Sequence, residues 1–138
     1  MTSILEIGGE HLTGVLNGET ESLRSLFAAR VTGWGKPFAH EEGITVGLFS
    51  DVEQEIESHV AFALVEPAAN IALAQENETN LLCALALLWS LVDATHTTEV
   101  PASLKSTFPA LVANARSFGA LEAAGQLTEL SAYYRHAL

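Results

Sequence analysis

Apolar residues recur along this chain at steps of three and four, the spacing of helices that bury one face. In ETESLRSLFAARV (19–31), Leu23, Leu26, Phe27 and Arg30 share one stripe. Glu19 and Glu21 sit near its start, where carboxylates suit the positive pole of a helix. Upstream, GEHLTGVLNG offers Leu12, Val15 and Leu16 for a short helix weakened by its glycines. Ser50 and Glu53 have capping-box spacing and predict a helix start, with Val52, Ile56, Val60 and Ala63 following as its core face. On that reading Glu53, Gln54 and Glu57 point away from the core, while Asp51 and Glu55 flank the stripe. Pro67 is placed to begin another helix. Residues 77–80 read as a turn, and 79–93, apolar nearly all round, as the central helix. From Pro101 onward Leu104, Phe108, Leu111, Ala115 and Phe118 recur, and Pro109 predicts a kink or two short helices meeting near Thr107. Gly119 suits a C-cap. A last helix over 120–136 carries Leu127, Leu130 and Tyr134, with Arg135 and His136 near its negative pole.

The pattern departs from helix between Gly33 and Phe49. GWGKPFAHEEG (33–43) is a glycine-flanked break, and Ile44, Val46 and Leu48 alternate with Thr45 and Gly47 as a short extended segment near 44–49 would. The fold class expected is therefore all-α: one domain over 1–138, of five to seven helices, with that extended segment. A loose echo between SLFAARVTGWG and ALVANARSFGA is compatible with stacked helical hairpins but does not establish a repeat.

Composition supports a packed core, with 49% hydrophobic and 17% charged residues. The single cysteine, Cys83, excludes an internal disulfide and fits a reducing compartment. No Lys or Arg lies near it in sequence to stabilise a thiolate, so it reads as a buried structural thiol. The most apolar run, LLCALALLWSLV (81–92), is 12 residues long, against about 20 for a membrane span. The amino terminus lacks a basic stretch followed by an apolar core, so no signal peptide and a cytoplasmic location are expected.

Charge changes the picture most. Residues 37–104 hold 11 acids and no Lys or Arg, whereas the flanking segments nearly balance, so the net charge of −11 belongs to the middle of the chain. Such a surface repels nucleic acid and anionic membranes and attracts cationic partners. The densest stretch, SDVEQEIESH (50–59), places Asp51, Glu53, Glu55 and Glu57 together, and like charges four apart mildly destabilise an isolated helix. A cationic surface would relieve that repulsion on binding. Trp34 and Phe38, in the break beside His40, Glu41 and Glu42, combine aromatic rings with acids as interface anchors do.

Metal and catalytic readings have thinner support. Glu55 and His59 are four apart, Asp93 and His96 form an Asp-x-x-His pair, and His40 adjoins Glu41 and Glu42. The repeated Glu-x-x-His motif of two-metal carboxylate bundles is missing. So are the Gly-x-Ser-x-Gly elbow and the phosphate-binding Gly-x-x-x-x-Gly-Lys loop. No cofactor, bound metal or enzymatic activity is expected.

In being small, acidic, helical and free of catalytic signatures, the chain resembles the immunity proteins of contact-dependent and other polymorphic bacterial toxin systems. The resemblance implies a stoichiometric inhibitor covering the basic cleft of a cognate toxin domain, often a nuclease. The partner-binding residues expected are Asp51, Glu53, Glu55 and Glu57, joined by Glu41, Glu42 and Trp34, in charge-assisted hydrogen bonds to Lys and Arg. The alternative is an acidic chaperone or adaptor for a secreted effector, with an apolar groove rimmed by carboxylates. A metal-dependent helical-bundle enzyme stands third.

Overall fold

The computed structural model describes residues 6–33 and 48–138. A 3-10 turn, Gly9–His11, leads into α1 (Leu12–Leu16) and α2 (Thr20–Gly33). After the residues not described come α3 (Ser50–Glu55), α4 (Ser58–Leu73), α5 (Glu78–Thr95), α6 (Ala102–Ser117) and α7 (Leu121–Tyr133). The described residues form seven α-helices and no strand, packed as one compact all-α domain. The extended segment and the sites at Trp34, Glu41 and Glu42 lie outside the described residues, except that Leu48 and Phe49 form a buried turn into α3.

The helix apolar nearly all round is central, as its composition requires. Leu81, Leu85, Leu88, Leu91 and Val92 of α5 are buried, and α5 packs on α2, α3, α4 and α7. Asn77 starts it by accepting the Asn80 amide at 2.8 Å. The helices α4 and α5 form one hairpin and α6 and α7 a second. Contacts α4 to α6 and α5 to α7 stack the two. The second hairpin turns at Gly119 (φ 64°), whose amide reaches the Arg116 carbonyl while that of Ala120 reaches Ala115. This Schellman closure confirms the C-cap read from sequence.

The capping box does not form: Phe49 is the cap of α3, with no side-chain cap bond, and Asp51 Oδ1 instead accepts the Val52 amide at 2.9 Å. Nor is 50–63 one helix. Ile56 and Glu57 are extended (ψ 141° and 147°), and this slip rephases the stripe: Ala61, Leu64, Val65 and Ala68 are buried, while Ala63 is exposed. Pro67 lies within α4 rather than opening a helix, and Pro109 lies within an uninterrupted α6. Each proline forfeits a bond to the carbonyl four residues back, Ala63 or Lys105. Both of those residues are exposed, so water can serve the freed carbonyl and neither helix needs to end.

Candidate functional site: an acidic, tryptophan-walled cleft

The acidic stretch does not act as one surface. Arg30 on α2 is completely buried, and its guanidinium holds Asp51 in a two-pronged pair, Nη1 to Oδ1 at 2.8 Å and Nη2 to Oδ2 at 2.6 Å. Its Nε donates to the Ile7 carbonyl and Nη1 to the Leu48 carbonyl, and the group lies 5.5 Å from the Phe49 ring centre. The arginine placed on the core stripe by its spacing thus fastens α3 to α2, and Asp51 is engaged inside the fold rather than offered to a partner.

With α3 anchored there, Glu53 is exposed, as its spacing suggested, but not isolated. It overlooks a cleft of about 310 Å³, roofed by α3, floored by α5 and closed by α7. The floor is a stripe at steps of three and four: Ala86, Trp89, Ser90 and Asp93. Gln126 and Glu129, three apart on α7, face it. Trp89 is half-buried and meets Tyr133 edge-on at 6.0 Å. Tyr133 in turn meets Tyr134 at 5.0 Å and donates its hydroxyl to the Thr97 carbonyl at 2.9 Å. The aromatic wall is therefore braced from behind.

Electrostatically the cleft gathers carboxylates that, among the described residues, no Lys or Arg neutralises. Burial pushes the Glu53 carboxyl above its ordinary value, Asp93 raises it further, and His96 partly offsets both. Asp93 is likewise raised by burial and eased by His96, which caps α5 in the left-handed conformation (φ 52°). Among the described residues no Lys or Arg pairs with Glu53, Asp93 or Glu129. Ser90, 4% exposed, lines the cleft with a hydroxyl that has no hydrogen-bond partner among the described residues. Carboxylates, an amide, a free hydroxyl and an aromatic ring around one small cleft suit an occupant that is cationic, flat and rich in donors.

The remaining sequence candidates are not gathered there. Glu55 and Glu57 are exposed. The break at Ile56 removes the helical relation of Glu55 to His59, and His59 instead lies 3.5 Å from Glu57. Among the described residues no group of three His, Cys, Asp or Glu is arranged to hold a metal. Sequence reasoning missed Trp89, Ser90, Gln126 and Glu129. Its available signal was the stripe 86, 89, 90, 93, where small, aromatic and polar residues interrupt an otherwise apolar helix. A second cleft of about 340 Å³ lies between α2 and α4, beside Phe27 and Ile71. Of its polar rim, Arg24 is engaged by Glu21 at 2.6 Å and Gln75 by the Ile71 carbonyl at 2.7 Å. Cys83 is buried and its thiol is pushed up to about 11 by that burial, so it has no thiolate chemistry at neutral pH. No helix among the described residues is long and apolar enough to cross a membrane. No protein-family model, curated protein or solved structure matches the chain.

Proposed function

We propose that the protein is a stoichiometric binder of a basic protein partner, acting as an immunity protein that neutralises a cognate toxin domain. The observation that carries this reading is the uncompensated charge. Of the acids in 37–104 that are described, only Asp51 meets an arginine or lysine; Glu53 and Asp93 share a partly dry cleft with no described Lys or Arg beside them, and His96 offsets only part of the effect of burial. A fold that keeps like charges close and desolvated is stabilised by whatever brings the opposite charge. Glu55 and Glu57, exposed at the α3–α4 junction and outside the cleft lining, add negative charge that would steer a basic surface toward the protein. The same charge disfavours nucleic acid as the partner.

The test is co-expression with the coding sequence adjacent to this protein's own. The proposal expects that neighbour to arrest growth when expressed alone and this protein to restore growth. It also expects the protection to weaken when Glu53 and Glu57 are reversed to Lys. If the neighbour is harmless, or growth arrest persists beside the wild-type protein, the proposal falls. A chaperone or adaptor would instead bind a non-toxic or unfolded client segment, with weak dependence on salt.

A further inference from the structure

Resting on that reading, we propose that the cleft between α3, α5 and α7 is a socket for one arginine side chain of the basic partner. The cleft's volume, about 310 Å³, is at the small end for ligand sites and suits a side chain better than a cofactor. Its acceptors come from three directions: Glu53 from α3, Asp93 and the Ser90 hydroxyl from α5, Glu129 and the Gln126 amide oxygen from α7. A guanidinium carries five donors in a planar fork and stacks on aromatic faces. An ammonium carries three donors and stays more strongly hydrated. The number and spread of acceptors around the Trp89 ring therefore select arginine over lysine.

Ser90 supports this independently of the acids. A hydroxyl on a nearly inaccessible residue ordinarily returns its proton to the helix, as Thr95 does by donating to the Val92 carbonyl at 2.7 Å. Ser90 makes no such bond and instead lines the cleft. The Arg30–Asp51 clasp holds the roof of the socket, because Glu53 stands two residues from the anchored carboxylate on the same short helix.

The probe is N-acetyl-arginine methylamide, titrated into the intact ¹⁵N-labelled protein by NMR. The neutral isostere N-acetyl-citrulline methylamide and the lysine analogue are the comparison arms. A Trp34→Phe background assigns the Trp89 indole signal. The socket predicts saturable shifts of the Trp89 indole and Gln126 side-chain signals, with Kd on the order of millimolar for one isolated side chain. Citrulline should give no saturation, and lysine about tenfold weaker binding. Glu53→Gln with Asp93→Asn should weaken the arginine arm about tenfold or more while leaving the amide spectrum folded. Equal shifts by arginine and citrulline, no saturable shift at Trp89, or unchanged binding by the double variant would each overturn the socket. If the arginine arm fails while wild-type protein still relieves growth arrest, the socket alone is lost. If relief of growth arrest also fails, the reading beneath it is lost.

Discussion

Removing the carboxylate of Asp51 tests whether the buried clasp builds the acidic site. The Asp51 side chain is 14% exposed and Arg30 is fully enclosed. Asp51→Ala deletes both acceptors of the two-pronged pair and leaves a buried guanidinium with the carbonyls of Ile7 and Leu48 among its described partners. Each charge-assisted bond contributes about 1.5–3 kcal/mol, and breaking a buried pair from one side costs about 3–5 kcal/mol. Water admitted at the partly open Asp51 side recovers some of this, so a loss near 3 kcal/mol is expected. Against a total of about 5–15 kcal/mol that is a large share, and with a urea slope of about 1.5 kcal/mol/M the midpoint falls by about 2 M. The assay is urea unfolding followed by circular dichroism. It covers Asp51→Ala, Arg30→Met, and a double variant pairing Arg30→Met with Asp51→Leu. The double variant replaces the pair with apolar groups; it still strips the Ile7 and Leu48 carbonyls of their donor, so it should fall below wild type but lose clearly less than its two singles combined. A loss under about 1 kcal/mol for Asp51→Ala, or a double variant as weak as its two singles combined, would refute the clasp.

Three further outcomes follow from the same geometry. Glu53→Gln should stabilise the free protein at pH 7 by up to about 0.5 kcal/mol, a modest gain because the group is exposed enough for solvent to screen it. The sign follows from its raised carboxyl: the protonated form is favoured in the fold, so this gain shrinks as pH falls through that raised value and is gone below the ordinary range. Thermal unfolding of both proteins between pH 7 and pH 4 would show it. Gly14→Ala should destabilise by about 1–3 kcal/mol although alanine favours helix, because the new Cβ would lie 2.0 Å from Ser22 Oγ and 2.6 Å from Ser22 Cβ where α1 crosses α2. Adding Ser22→Gly should recover most of that loss in the same thermal melt. Native Cys83 should resist a thiol reagent at pH 8 and react fully in 6 M guanidinium, as followed by absorbance; ready reaction of the folded protein would contradict its burial.

The parts of the fold legible in sequence are those set by local spacing. The α2 stripe, the all-round apolar α5 and the Gly119 closure each depend on residues within a few positions of one another. Arg30 was even placed on the correct face, since a stripe reports burial without regard to side-chain chemistry. What spacing could not report is the partner: Asp51 lies 21 residues from Arg30, across the residues not described. The slip at Ile56 and Glu57 was equally hidden, because Val52 and Ile56 are buried whether or not the helix continues. Glu53 stays exposed as its spacing indicated, and its nearness to Asp93 comes from the packing of α3 on α5, which spacing does not report. The far wall of the cleft comes from Gln126 and Glu129, in the carboxyl-terminal segment where the charge nearly balances. Charge counting located the acidic region and missed the helix that completes the site.

One feature of the fold works against its own stability: the partly desolvated carboxylates of Glu53 and Asp93, which lie near one another in the cleft. On the proposed function, an entering cation would relieve that cost. If the cleft binds a cationic partner as proposed, function and stability would pull in opposite directions at Glu53 and Asp93.

The measurement closest to the central claim is calorimetric binding of the purified protein to the domain encoded by its neighbouring coding sequence. It is repeated across sodium chloride concentrations, for wild type and for the double variant Glu53→Gln with Asp93→Asn. The account predicts one-to-one binding that weakens steadily with salt, and a double variant that binds more weakly with a shallower salt dependence. Binding indifferent to salt and unchanged by the double variant, or no binding by the wild type, would contradict it.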